Sequence, residues 1–192
     1  MVIGLTGGIG CGKTAAATCF ARHGFVVVDA DALAREVLGS PGCVAQLQAR
    51  WGRGCLRADG SPDRAWIAAK VFAEPAELAF LEALTHPEVA RLRAAAVADR
   101  TRHHVVEIPL LFEKILAAEF DRVVCVSCSD SVRLRRLEAR GLPAAQALAR
   151  INSQMPLAEK VKRSDYVLYN DGELDFLEAQ VAALIQRLSV SA

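Results

Sequence analysis

Near the N-terminus, Gly7-Gly8-Ile9-Gly10-Cys11-Gly12-Lys13-Thr14 fits the phosphate-binding pattern G-x-x-x-x-G-K-[ST] without a mismatch. The context suits the chemistry. The apolar Val2-Ile3 precedes the glycines, and the helix-forming Ala15-Ala16-Ala17-Thr18-Cys19-Phe20-Ala21-Arg22 follows them. A strand, a glycine loop and a helix N-terminus bring backbone N–H groups together on phosphate oxygens. Lys13 has the reach to spread the charge of β- and γ-phosphates, and Thr14 carries a hydroxyl suited to Mg²⁺. The segment Gly8, Gly10, Cys11, Gly12, Lys13, Thr14 and Ala15 is therefore the expected ATP-binding surface.

Carboxylates supply the next chemistry. In Val26-Val27-Val28-Asp29-Ala30-Asp31 two of them stand where a strand is predicted to end, the edge at which open α/β sheets bind ligands. Asp31 is placed to accept or orient a proton from an attacking hydroxyl, or to N-cap a helix over Ala32–Leu38. Asp29 is an alternative Mg²⁺ holder through water. Further on, Glu107 precedes the apolar Pro109-Leu110-Leu111-Phe112, which reads either as acceptor-pocket lining or as ordinary core. His86-Pro87 reads as a helix stop.

Positioning these groups falls to five β-rich runs: Val2–Thr6, Phe25–Asp29, His104–Ile108, Arg122–Ser127 and Tyr166–Tyr169. Most are continuous aliphatic runs, as in strands buried on both faces of a parallel sheet. Helical patterns lie between them: Thr14–His23, Ser131–Arg140 with Asp130 as N-cap, and an amphipathic Glu173–Leu188. The alternation predicts an α/β sheet with right-handed crossovers. Two stretches are too long for single crossovers. The first carries turn signals at Gly39-Ser40-Pro41-Gly42 and Asp59-Gly60-Ser61-Pro62, then helices around Ala65–Phe72 and Glu77–Leu84. The second holds Arg133, Arg135, Arg136, Arg140, Arg150, Lys160, Lys162 and Arg163, and reads as a basic lid or as a solvated charged face.

Composition removes several function classes. A net charge of +1 argues against a general nucleic-acid binder. No apolar run approaches a membrane span, and no basic n-region precedes the glycines, so a cytoplasmic protein is expected. The six cysteines suit reduced usage rather than a disulfide framework. Cys125 and Cys128 read as strand packing, and Cys11 as a small loop filler whose thiolate nearby N–H groups could favour. A guanine-type switch is excluded by the lack of an Asn-Lys-x-Asp motif. Another small P-loop kinase, such as a nucleoside monophosphate kinase, stays open.

Taken in order, several segments resemble the dephospho-CoA kinase family. They are Ile3–Gly10 with its phosphate loop, Val28-Asp29-Ala30-Asp31 through Ala34-Arg35, Leu84-Thr85-His86-Pro87, Pro109-Leu110-Leu111-Phe112-Glu113, Arg150-Ile151-Asn152-Ser153-Gln154-Met155-Pro156 and Ser164-Asp165-Tyr166-Val167. The resemblance implies a three-layer P-loop fold with a five-stranded parallel sheet flanked by helices. It implies one kinase domain with its core in 1–38, 103–130 and 164–192, a helical acceptor insertion at 39–102 and a lid at 131–163. It implies transfer of the ATP γ-phosphoryl to the 3′-hydroxyl of dephospho-CoA with Mg²⁺, by a monomer. Asp31 matches the family base and Arg140 a lid arginine near the ATP phosphates, so Asp31, Lys13 and Arg140 form the expected catalytic set. Asp31, Arg35, His86, Pro109, Leu110 and Leu111 are the expected acceptor contacts, and Thr14 the metal contact. Two departures stand out. Cys11-Gly12-Lys13-Thr14-Ala15 replaces the common Ser-Gly-Lys-Ser-Thr, and Leu168-Tyr169-Asn170 replaces Ile-Asp-Asn beside the expected adenine.

Overall fold

The computed structural model describes residues 1–190. In chain order the elements are β1 (Val2–Gly7), α1 (Lys13–Arg22), β2 (Val26–Asp29), α2 (Ala30–Gly39), α3 (Pro41–Trp51), α4 (Arg64–Ala73), α5 (Pro75–Ala96), β3 (His104–Glu107), β4 (Arg122–Ser127), α6 (Asp130–Ala139), α7 (Ala144–Asn152), α8 (Leu157–Arg163), β5 (Tyr166–Tyr169) and α9 (Leu174–Val190). The five strands form one parallel sheet in the order β2-β3-β1-β4-β5. Every residue of β1, the central strand, is buried. That is why its sequence shows no alternation. No helix among the described residues is long and apolar enough to cross a membrane.

The chain divides into two compact units, one built from Met1–Asp29 and the chain from Asp99 on, the other from Ala30–Ala98. The first unit holds the sheet. Ile3, Leu5 and Val124 pack there with Phe20 of α1 and with Leu177, Val181, Leu184 and Leu188 of α9. The four α9 residues recur every three or four positions, so one stripe of the helix closes the core. Cys125 of β4 is buried in this unit, and Cys128, just past the end of the strand, is buried as well.

The second unit has its own small core. Cys43, Leu47, Cys55, Ile67 and Val71 are buried, with Trp51, Phe80, Leu81 and Leu84 packed against them. Glu77 anchors its rim. The Glu77 carboxylate accepts two hydrogen bonds from Arg50, at 3.1 and 3.0 Å, and one from the Trp51 indole at 2.7 Å. The Arg50 and Trp51 bonds hold the Glu77 carboxyl below its ordinary value.

Several local expectations are corrected. The predicted turn at Gly39–Gly42 is instead the start of α3: Ser40 is its N-cap, its hydroxyl accepting from the Cys43 N–H at 3.4 Å, and Pro41 fills the first turn. A proline there loses no intrahelical bond. His86-Pro87 does not stop a helix, because α5 runs through Pro87 to Ala96. An interior proline forfeits one backbone bond. The packing of Phe80, Leu81 and Leu84 and the burial of Arg93 further on hold the helix together across it. Asp31 does not cap a helix: α2 begins at Ala30, directly after β2, and Asp31 lies inside its first turn. Asp130 likewise sits in the first turn of α6, with Ser129 at the cap position. The Asp59–Pro62 turn forms, closed by Arg57 N–H to Ser61 O at 2.8 Å.

Candidate active site

The phosphate loop joins β1 to α1, and its backbone explains its glycines. Gly12 sits at φ +89°, a left-handed conformation, and a Cβ there would fall 2.1 Å from Asn170 Nδ2. At Gly7 a Cβ would fall 2.2 Å from the Val126 carbonyl oxygen of the neighbouring strand. Neither position has room for a side chain. Lys13 is buried, and its ammonium lies across the loop, donating to the carbonyls of Gly7 at 3.3 Å and Gly8 at 3.2 Å. It thus stands over the nest of amides that an anion would enter.

Side chains from distant segments hold the loop in shape. The Ile9 N–H donates to Gln154 Oε1 at 3.1 Å, and the Ile9 carbonyl accepts from Arg133 Nε at 3.3 Å. The Cys11 carbonyl accepts from Asn170 Nδ2 at 2.8 Å. Each clamp ties up a peptide group of the loop. Holding these peptide planes fixes the loop backbone, whose remaining amides are the donors an oxyanion needs. Cys11 is fully buried, and its thiol is drawn down to about 7. The hydrogen bond with the Cys128 thiol lowers it most, burial opposes, and the charges of Arg133 and Lys13 add to the lowering. The same bond pushes the Cys128 thiol up.

At the strand ends, the Thr14 hydroxyl donates to Glu107 Oε1 at 3.1 Å. Glu107 closes β3 and is the register partner of Asp29, which closes β2. The sheet therefore lines up two carboxylates, one of them on the hydroxyl expected to meet a metal. These are hard oxygen donors of the kind Mg²⁺ takes. The described residues hold no cluster of three His, Cys, Asp or Glu able to cage a metal alone. A Mg²⁺ here would draw its remaining ligands from phosphates and water, as that ion usually does.

The basic insertion is not simply a solvated charged face. It forms α6, α7 and α8, and two of its cations are buried. Lys160 of α8 is 0% exposed, donates to the Pro109 carbonyl at 2.7 Å and pairs with Glu113 Oε1 at 2.9 Å. The same Glu113 oxygen accepts the Met155 N–H at 2.9 Å. Burial pushes the Glu113 carboxyl up, and the Lys160 bond and the Met155 N–H outweigh that push, leaving it below its ordinary value. The Pro109–Glu113 segment and the Gln154–Lys160 arm are thereby joined, and that arm also holds Ile9.

The expected acceptor contacts spread over both units. In the first, Leu111 is wholly buried, Pro109 half-buried and Leu110 exposed. The core reading therefore takes Leu111, while Leu110 keeps a face to solvent. In the second, Asp31 and Arg35 lie one turn apart on α2 and line a cavity of about 240 Å³ with Ala34, Leu38 and Arg64. His86 is exposed in mid-α5, and Arg140 is exposed at the end of α6. Sequence reasoning gave no individual role to Gln154, Asn170, Arg133, Glu113 or Lys160, although Gln154 and Glu113 stand in segments that carried the resemblance. One signal was present: Arg133 lies four residues before Leu137 and shares its buried stripe. It also overlooked Arg64.

Known proteins agree with this geometry. The family model "Dephospho-CoA kinase" (CoaE) matches residues 1–175. A dephospho-CoA kinase of Syntrophotalea carbinolica is 45% identical over 195 aligned residues, covering 98% of this chain and 92% of that protein. The crystal structure of TT1252 from Thermus thermophilus superposes with a TM-score of 0.87 at 37% identity, over 98% of this chain and 97% of that one. A dephospho-CoA kinase of Campylobacter jejuni shares the fold, with a TM-score of 0.74 at 24% identity over 99% and 98% of the two chains. A phosphate loop clamped by the Gln154 arm, a strand edge lined with carboxylates and an end-to-end match to these relatives lead to one conclusion: the chain belongs to the dephospho-CoA kinase family.

Proposed function

We propose that this protein transfers the γ-phosphoryl group of ATP to the 3′-hydroxyl of dephospho-CoA, giving CoA and ADP. The observation that carries the reading is that a single family match takes in the phosphate loop, Asp31 and the Gln154 arm alike. In the reaction a bond forms between O3′ and the γ-phosphorus while the bond from that phosphorus to the β–γ bridging oxygen breaks. The hydroxyl proton passes to the Asp31 carboxylate and then to solvent. Charge shifts toward the bridging oxygen, and Lys13 is the cation suited to meet it. Mg²⁺, held by Thr14 with Glu107 and Asp29 behind it, would neutralise the β- and γ-oxygens when bound.

For the acceptor, Asp31 and Arg35 form a carboxylate–guanidinium pair of positions on one face of α2, with Arg64 across the same cavity. A carboxylate suits a ribose hydroxyl, and guanidinium groups suit the diphosphate of dephospho-CoA. Arg140, exposed at the end of α6, would stand near the phosphates of bound ATP, as its match to the family's lid arginine implies. The test is ADP release from Mg-ATP across a panel of acceptors: dephospho-CoA, AMP, CMP and dTMP. Turnover with dephospho-CoA alone is expected. Faster turnover of a nucleoside monophosphate would replace this reading with a nucleotide kinase.

A further inference from the structure

Two arginines one turn apart on α6, Arg133 and Arg136, face the phosphate loop, and they differ in how their donors are used. Arg133 is spent on protein: Nε on the Ile9 carbonyl and Nη1 on Asp130 at 2.9 Å. Arg136 is not. Its Nη2 lies 3.5 Å from Asn170 Oδ1, the far side of the amide that holds the Cys11 carbonyl. Its Nη1 is buried and has no hydrogen-bond partner among the described residues. A buried charged donor left without an acceptor is costly and therefore uncommon, so a partner from outside the chain is the natural explanation.

The position of that atom says what the partner is. Nη1 stands 3.8 Å from the point a Cβ on Gly12 would occupy, at the N-terminus of α1. The Arg136 guanidinium thus stands beside the N-terminal end of α1, where the positive helix end favours an anion. The carboxylate that feels the Arg136 charge, Asp171, is already engaged by the Ser129 N–H at 2.7 Å and the Ser129 hydroxyl at 2.6 Å. The missing acceptor is anionic and supplied by ligand. We propose that Arg136 is a nucleotide-binding residue whose Nη1 donates to an α- or β-phosphate oxygen of the bound nucleotide. The proposal rests on the phosphate-loop reading above and adds a contact to it. Asn170 then serves two ends at once, fixing the loop carbonyl and aiming the guanidinium.

The experiment is calorimetric titration of ADP into wild-type protein, Arg136→Met and Arg136→Lys, with melting temperatures measured without nucleotide. Removing one hydrogen bond from a charged donor should weaken ADP binding about tenfold or more in Arg136→Met. The KM for ATP should rise in parallel, and the KM for dephospho-CoA should stay within about twofold. The nucleotide-free melting temperature should hold or rise, since an unsatisfied donor has been removed. Arg136→Lys keeps the charge without the planar fork and should fall between the two. It also carries the test if Arg136→Met does not fold. Wild-type ADP affinity in the soluble variants would overturn the proposal, as would a lowered melting temperature with unchanged affinity, which marks a purely structural arginine. If wild-type protein itself fails to bind ADP, the phosphate-loop reading falls, and this contact with it.

Discussion

The chain makes two strand-to-helix turns that carry its expected site residues, and they are built in opposite ways. Between β1 and α1 the chain opens into a glycine loop whose peptide groups are tied back, the Ile9 N–H by Gln154 and the Ile9 and Cys11 carbonyls by Arg133 and Asn170. Between β2 and α2 there is no loop at all: Asp29 ends the strand and Ala30 begins the helix. The first turn offers backbone amides, which are useful only if the backbone is held. The second offers side chains, Asp31 and Arg35, which project from a regular helix and need little support. Substitutions at the first should therefore disturb nucleotide binding, and substitutions at the second should disturb turnover and acceptor binding while leaving nucleotide binding intact.

The largest effect is expected at Lys13. Lys13→Ala removes the cation lying over the loop and should lower kcat/KM by about 10³-fold while raising the KM for ATP. Steady-state kinetics with both substrates varied will check this, and an unchanged rate would break the phosphate-loop side of the contrast. Asp31→Asn comes next. A drop in kcat of about 10²-fold is expected with ADP affinity intact, as for a lost general base. A parallel loss of ADP binding would erase the difference between the two turns. Gln154→Ala is smaller. It leaves the Ile9 N–H without its partner, and about 1 kcal/mol should appear as a roughly five-fold weaker ADP dissociation constant. An effect on the dephospho-CoA KM alone would assign Gln154 to the acceptor instead.

The smallest effect is a matter of pH and concerns the second unit. Glu77 is held below its ordinary 4.5 by Arg50 and Trp51. A carboxyl depressed on folding contributes stability that is fully present above its unfolded value and is lost as pH falls through its folded value. Melting temperatures of wild-type protein should therefore drop on acidification below about pH 4.5. Glu77→Gln should be less stable at neutral pH and show a shallower acid limb. Parallel acid limbs would show that the Glu77 cluster does not stabilise this unit.

What could be read from the residues in advance follows from the range of the interactions. The strands were legible because burial on both faces writes an unbroken aliphatic run, and the loop because its chemistry fixes glycine, lysine and hydroxyl at set spacings. Helix ends were less legible. Ser40-Pro41-Gly42 suits a turn and a helix start equally, and only the burial of Cys43 and Leu47 decides between them. Pro87 sits in a helix because of packing contributed by residues on both sides of it. At the site, Lys13 and Thr14 declare themselves within one motif. Gln154 and Asn170 reach the loop from more than 140 residues away. Nothing local to either residue announces that partner. Lys160 is the sharpest case: a lysine in a run of charges reads as solvated, yet it is buried against Glu113 and the Pro109 carbonyl.

The central claim is the transfer itself, and the position of the new phosphate tests it most directly. Protein incubated with Mg-ATP and dephospho-CoA should give a product whose ³¹P spectrum gains one phosphomonoester resonance, coupled to the ribose 3′-proton, in step with ADP. A phosphate on any other atom, or ADP formed with inorganic phosphate and no new ester, would contradict it.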